Sequence, residues 1–229
     1  MTDPLLEDQI AYYRARAGEY DEWFLRQGRY DRGPHHRQEW FAEVGKIRSE
    51  LIPQIPHESV LEFACGTGLW TQLLAEHASR VVAIDASPEV IAQNRHRLNA
   101  PHVEYVNADI FSWITQERFE LIFFSFWLSH VPAERFDQFW NSVRERLARG
   151  GRVFFVDSLL EQDSTAKDHA PLNDSGVVRR RLNDGREFDI VKVFYEPATL
   201  LNRLRALGWQ GDVRAAGRFF LFGSVVHVD

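Results

Sequence analysis

The sequence predicts a doubly wound α/β domain with a mostly parallel sheet of seven strands, and three observations carry that prediction. Short apolar runs alternate with helix-patterned segments from residue 59 to about residue 156. Parallel strands need such crossovers, and the helices then cover both faces of the sheet. The stretch "SVLEFACGTGLWTQLL", residues 59–74, turns a strand into a helix through glycines. A chain of 229 residues, 45% hydrophobic and 26% charged, can bury a full core as one domain.

The elements follow in order. Residues 4 to about 50 read as an aromatic-rich helical segment, broken at "GRYDRGPHHR" by Gly and Pro. The strand "SVLEFA" leads into the helix "GLWTQLLAEHA", and "RVVAID" leads into "PEVIAQNRHRL" and then the strand "VEYVNAD". Next come "ELIFFSF", the helix "AERFDQFWNSVRERLA" and the strand "GRVFFVDSL", with Gly150-Gly151 expected to stop the helix and open the strand. Residues 177–195, "VVRRRLNDGREFDIVKVFY", read as an inserted β-hairpin turned at Asn183-Asp184-Gly185 in a type I′ turn. "EPATLLNRLRALGW" is a helix, and "GDVRAA" and "RFFLFGSVVHV" are two further strands, the last antiparallel. The single domain is expected to divide into a helical lid (1–50), a ligand-binding core (55–157), the hairpin (177–195) and a C-terminal helix with a strand pair (196–229).

Composition narrows the function. One cysteine, Cys65, forms no internal bridge, so nothing points to an oxidising compartment. The acidic start has no uninterrupted apolar run of a signal peptide, and no stretch approaches the ~20 apolar residues of a membrane span. A cytoplasmic protein without a membrane partner is expected. A net charge of -6 argues against nucleic acid, whose binding needs clustered Lys and Arg. His35, His36 and His57 have no metal-ligand spacing, and no metal is expected.

Nucleotide ligands dock beyond the carboxyl ends of such strands, first at the strand-to-helix turn. A dinucleotide needs G-x-G-x-x-G, and both frames fail: starting at Gly66 the third position is Thr71, and starting at Ala64 it is Leu69. Glu62 would also set a negative charge against a pyrophosphate. S-adenosylmethionine, with a sulfonium and an ammonium but no phosphate, reverses that sign.

"VLEFACGTG" resembles the first motif of class I S-adenosylmethionine-dependent methyltransferases, an acid followed by spaced glycines, with Ala64 where the family's first glycine stands. The resemblance implies a Rossmann-like fold and places Glu62, Ala64, Gly66 and Gly68 at the cofactor turn. It implies that Asp85, followed by Ala86, holds the ribose hydroxyls, and that Asp109 and the Ile110 N–H meet the adenine. A carbonyl of Ser125 or Phe126 is then expected beside the methionine ammonium. "YYRARAGEYDEWF" is similar to the aromatic lid of small-molecule methyltransferases, in which Tyr13, Arg16 and Tyr20 form one helical stripe and a tyrosine or Arg16 reaches the methionine carboxylate. The plainer reading packs that stripe on the core.

His130, just past the fourth strand, is a candidate base or a loop-holding histidine. In "RRRLNDGREF", Arg179, Arg181 and Arg186 are candidates for an anionic substrate or form a solvated strand face. Trp70 is expected in the core, and Trp127 and Phe126 in the core or the pocket wall. The activity expected is in-line methyl transfer to an O, N or C atom of a small-molecule acceptor. An NAD-dependent oxidoreductase and a catalytically silent Rossmann-like binding protein are the alternatives.

Overall fold

The structure, a computed structural model, describes residues 4–56 and 58–228, so His57 lies outside it. Strands β1 (Ser59–Phe63), β2 (Arg80–Asp85), β3 (Val103–Asn107), β4 (Phe119–Ser125) and β5 (Leu147–Ser158) run parallel. The hairpin strands β6 (Gly176–Arg181) and β7 (Glu187–Lys192) form a separate two-stranded sheet. Strand β9 (Phe220–His227) returns antiparallel beside β5, and β8 (Trp209–Ala215) closes the edge, giving the order β3-β2-β1-β4-β5-β9-β8.

Central strands buried on both faces must be apolar on both. Strand β4, "FELIFFS", shows how. Leu121 and Phe123 join one apolar layer, and Ile122 and Phe124 join the other. The first layer packs under α3 (Pro34–Leu51), α4 (Thr71–His77) and α5 (Pro88–Leu98), and holds Trp70 against Phe123 at 5.5 Å. The second packs under α6 (Phe136–Arg146) and α7 (Pro197–Ala206).

The N-terminal segment is two helices, α1 (Pro4–Arg16) and α2 (Tyr20–Phe24), broken around Gly18. A third apolar cluster joins Tyr12 of α1 to Val178, Leu182 and Ile190 of the hairpin and to Leu172. Helix α1 therefore packs on the hairpin, away from the main sheet. No helix of the described residues is long and apolar enough to cross a membrane.

Two local expectations are corrected. Helix α6 ends at Arg146 and the chain passes straight into extended backbone at Leu147, so Gly150-Gly151 lie inside β5. They sit where its register with β4 shifts. The hairpin turn is not type I′, because of its three residues only Gly185 has a positive φ, +90°. The Gly185 N–H donates to the Leu182 carbonyl (3.0 Å), which makes a type I turn followed by a left-handed glycine. Glu19 accepts from the Asn183 N–H at 3.1 Å and fixes that turn to the N-terminal segment.

Candidate active site

The turn after β1 is left-handed at Ala64 (φ 50°) and Gly66 (φ 54°), which is why position 64 suits glycine and tolerates only a small side chain. Gly68 has a different reason: a Cβ there would stand 2.5 Å from Asn94 Oδ1. Asn94 of α5 donates through Nδ2 to the Gly66 carbonyl (3.3 Å) and to Thr71 Oγ1 (2.8 Å), so Gly68 lets a helix approach and brace the turn. Asp85, at the tip of β2, accepts from the Gly66 N–H (3.0 Å) and the Ser87 N–H (2.9 Å). Burial pushes its carboxyl up to about 6 against those bonds. Ser87 caps α5, accepting from the Val90 N–H, with Pro88 in the first turn. Asp109 turns the chain after β3, accepting from the Phe111 N–H at 3.1 Å.

These tips open on one cavity of about 1080 Å³, counting the space open to solvent. Ala64, Gly66, Asp85, Ala86, Asp109 and Ile110 line its floor. Ser125 and Phe126 line it beyond β4, and Tyr13 and Tyr20 cover it from above. Trp127 is in its wall, with a buried Nε1 that has no hydrogen-bond partner. Gly68 and Glu62 are not in the wall. Glu62 is buried one layer below the turn, and burial pushes its carboxyl up to about 8, although a hydrogen bond from Thr71 acts the other way. Its Oε2 has no partner. Burial thus favours its protonated form and takes it out of the cavity wall, where the sequence placed a negative charge.

A second cavity, of about 560 Å³, lies between the N-terminal helices, the hairpin and the segment after β5. Its wall holds Arg16, Arg180 and Lys192 and no carboxylate. Arg16 is 9% exposed and its Nε is buried without a hydrogen-bond partner; the guanidinium lies by the rings of Tyr12 (5.5 Å) and Tyr20 (5.0 Å). Arg180 Nη1 donates to Thr165 Oγ1 (3.1 Å) and approaches His169 Nδ1 (3.4 Å). Lys192 Nζ donates to Ser129 Oγ (2.7 Å) and stands 3.6 Å from Asp157 Oδ1. Burial lowers its ammonium to about 8.

Both histidines of this cavity are neutral. His169 Nε2–H donates to the Arg181 carbonyl (3.1 Å), and burial lowers its imidazole to about 4. His130 Nδ1 is 2.7 Å from the Val191 carbonyl and must carry the proton, so Nε2 accepts from the Tyr13 hydroxyl at 2.7 Å. Burial holds His130 well below its ordinary value. Tyr13, Tyr20, Phe126 and His130 line both cavities and form the partition between them.

The stripe Tyr13, Arg16 and Tyr20 thus converges on the site, with Arg16 in the second cavity. Arg179 and Arg186 do not reach it: they pair at the surface with Asp189 and Asp184, both at 2.8 Å. Arg181 is exposed as well. Arg180 is the inward one, and strand parity marks it, because it shares a face with the apolar Val178 and Leu182. Among the described residues no three His, Cys, Asp or Glu side chains are placed to hold a metal.

A doubly wound sheet that brings a glycine turn and two acids from successive strand tips to one cavity, without a phosphate-binding glycine triad, belongs to the class of α/β proteins that bind an adenosyl group. A family model described as "Methyltransferase domain" matches residues 60–151. Two solved structures of DhpI, one with S-adenosylhomocysteine and one with S-adenosylmethionine and HEP, are 39% and 40% identical. Their TM-scores are 0.79 and 0.78, and the likeness covers 99% of this chain and 98% and 99% of those chains. Nodulation protein S of Rhizobium tropici is 34% identical over 108 residues, 45% of this chain and 44% of that protein. Trans-aconitate 2-methyltransferase of Escherichia coli O7:K1 is 35% identical over 96 residues, 40% of this chain and 37% of that enzyme. The chain thus spans less than half the length of these two curated relatives. It belongs to the S-adenosylmethionine-dependent methyltransferases. The residues present fit that cofactor, since the cavity offers free lone pairs on Asp85 and Asp109 and the unpartnered indole N–H of Trp127. The oxidoreductase alternative falls with this assignment.

Proposed function

We propose that this protein transfers the methyl group of S-adenosylmethionine to an anionic oxygen of a small acceptor, making a methyl ester in the cytoplasm. The observation that carries the proposal is the second cavity's charge: three cationic side chains and no carboxylate in the wall. Asp157 offsets Lys192 from behind, but Arg16 and Arg180 have no acidic partner among the described residues. A buried, unpaired guanidinium is costly, and a bound anion is the counter-charge that relieves it. An amine acceptor would arrive as a cation and be repelled. An alcohol or an enolising carbon would need a base, and the site offers none in a free state: His130 and His169 already accept hydrogen bonds, and burial pushes Tyr13 and Tyr20 upward, away from ionisation. An oxyanion needs no base.

Bound S-adenosylmethionine supplies an electrophilic methyl carbon, whose C–S bond breaks as the acceptor's C–O bond forms, with no proton to move. The protein's work is placement and dryness. Asp85 would accept from the ribose hydroxyls, Asp109 and the Ile110 N–H would meet the adenine edge, and the turn at Ala64–Gly66 would admit the methionine. The carbonyls at Ser125 and Phe126 would take the ammonium, and the rings of Tyr13 and Tyr20 would attract the sulfonium. Arg16 and Arg180 grip the acceptor, and His130 orients Tyr13. One relative supports the reading: trans-aconitate, in the name of the Escherichia coli enzyme, is a carboxylate.

The test is a panel of carboxylates, phosphates and phosphonates against amines and phenols of similar size, with methyl-labelled cofactor. Label should enter the anions alone, as esters. Transfer to amines with none to any anion would overturn the proposal.

A further inference from the structure

Helix α1 roofs both cavities, with Gln9 and Tyr13 over the larger and Tyr12, Tyr13 and Arg16 over the smaller. What holds the helix there is mostly one edge of the hairpin. Strand β7 pairs with β6 on one side, which leaves the N–H groups of Asp189 and Val191 pointing outward. An unpaired strand edge is normally left to solvent or covered. Here the Asp189 N–H donates to Asp8 Oδ2 (3.2 Å) and the Val191 N–H to Gln9 Oε1 (3.1 Å). Further along, the Val193 N–H donates to the Ser129 carbonyl (2.8 Å) in the turn after β4.

Gln9 is 5% exposed and both ends of its amide are used, since its Nε2 donates to the His130 carbonyl at 3.2 Å. One turn further along α1, Tyr13 donates to His130 Nε2, and His130 Nδ1–H returns to the Val191 carbonyl. Gln9, His130 and Val191 make a closed ring of hydrogen bonds, with Tyr13 attached to it at His130, and so join α1, the hairpin and the partition between the cavities. A neutral His130 in one tautomer is the condition for that ring.

We infer that Gln9 is a positioning residue that makes cofactor binding and acceptor binding reinforce each other. The inference rests on the reading of the smaller cavity as an anion site. A cofactor under Tyr13 favours the docked helix from one side, and an anion on Arg16 favours it from the other. Gln9 transmits between them because its amide bonds the hairpin that carries Arg180 and Lys192 and also the turn that carries His130. Without it, the Val191 N–H and the His130 carbonyl lose their partners, and α1 keeps only its apolar face and the outer bonds of Asp8 and Tyr13.

The experiment is a pair of calorimetric titrations with S-adenosylhomocysteine, one in inorganic phosphate and one in sodium chloride of equal ionic strength. In the wild type, saturating phosphate should tighten cofactor binding at least about fivefold, the lower end of ordinary site-to-site coupling. In Gln9→Met the affinity ratio with and without phosphate should fall to one, whatever the affinity without phosphate becomes. Hydrogen exchange should meanwhile quicken at Val191 and stay unchanged in β1 and β4, which shows that the variant is folded. Coupling of full size in Gln9→Met overturns the role of Gln9 alone. Phosphate that fails to bind the loaded wild type, or binds Arg180→Gln as well as wild type, overturns the anion site beneath it.

Discussion

Replacing Arg16 with Met should move stability and activity in opposite directions, which separates a ligand-binding cation from a structural one. In the free protein Arg16 is 9% exposed, its Nε is buried without a partner and no described carboxylate pairs with it, so two aromatic rings are the main compensation for its desolvation. Each ring contributes about 0.5–1 kcal/mol. Burying an unpartnered charge costs several kcal/mol even after relaxation, and a Met of similar length keeps most of the packing. The variant should therefore equal the wild type in stability or exceed it by about 1 kcal/mol. Binding of an anionic acceptor should weaken by about 1.5–3 kcal/mol, the worth of a hydrogen bond to a charged group, or roughly 10- to 150-fold in KM. Urea unfolding of the cofactor-free protein measures the first quantity and steady-state kinetics with a methylated anion the second. A variant destabilised by more than about 2 kcal/mol with an unchanged acceptor KM would show that Arg16 serves the fold.

Glu62 predicts a pH effect. Its folded carboxyl stands at about 8 against 4.5 unfolded, so the folded state holds a proton that the unfolded chain releases, and stability falls as pH rises toward 8. Asp85 (about 6) and the lowered His130 and His169 titrate below about 6.5, and Lys192 (about 8) above 8, which leaves pH 6.5–8 to Glu62. The unfolding free energy from urea titrations should decline there by up to about 1.4 kcal/mol per pH unit in the wild type and less steeply in Glu62→Gln; equal slopes would refute it. Asp85→Ala should weaken S-adenosylhomocysteine binding by about 1.5–3 kcal/mol, and calorimetry with unchanged affinity would remove Asp85 from the ribose role. Gly68→Ala puts a Cβ 2.5 Å from Asn94 Oδ1 at φ 92° and should cost about 1–3 kcal/mol of stability; a loss under about 0.5 kcal/mol would mean that Asn94 moves aside freely.

The lining of the larger cavity was legible because it is local. Each strand tip carries its own signal within a few residues, so Gly66, Asp85 and Asp109 could be named from the resemblance to the methyltransferase motifs, and the sheet brings them to one cavity. Glu62 was found but given the wrong state, since whether an acid at a strand end faces the ligand or lies beneath the turn depends on the helix packed over it. The second cavity is assembled from α1, the hairpin and an irregular segment more than 140 residues from α1, and no window of sequence holds it. Arg180 was within reach through the parity of Val178 and Leu182, and Lys192 through Ile190, but Thr165 and His169 lie in a loop without periodicity. The helix stop at Gly150 failed because a glycine pair at a strand bulge reads like one at a helix end.

The charge of the second cavity and the bonding of helix α1 belong to one design. Docking α1 brings Arg16 into a cavity that already holds Arg180 and Lys192, against their mutual repulsion and the loss of water. At effective dielectric constants near 20, two like charges ~6–8 Å apart oppose each other by about 2–3 kcal/mol, comparable with a few hydrogen bonds. The bonds from Asp8, Gln9 and Tyr13 to β7 and His130 are what hold the helix down against that cost. An arriving anion changes the sign of the electrostatic contribution from opposing closure to favouring it. On the proposed function an anionic acceptor would help to hold α1 down over the methyl group, and the ester, with one negative charge fewer, would favour the docked helix less.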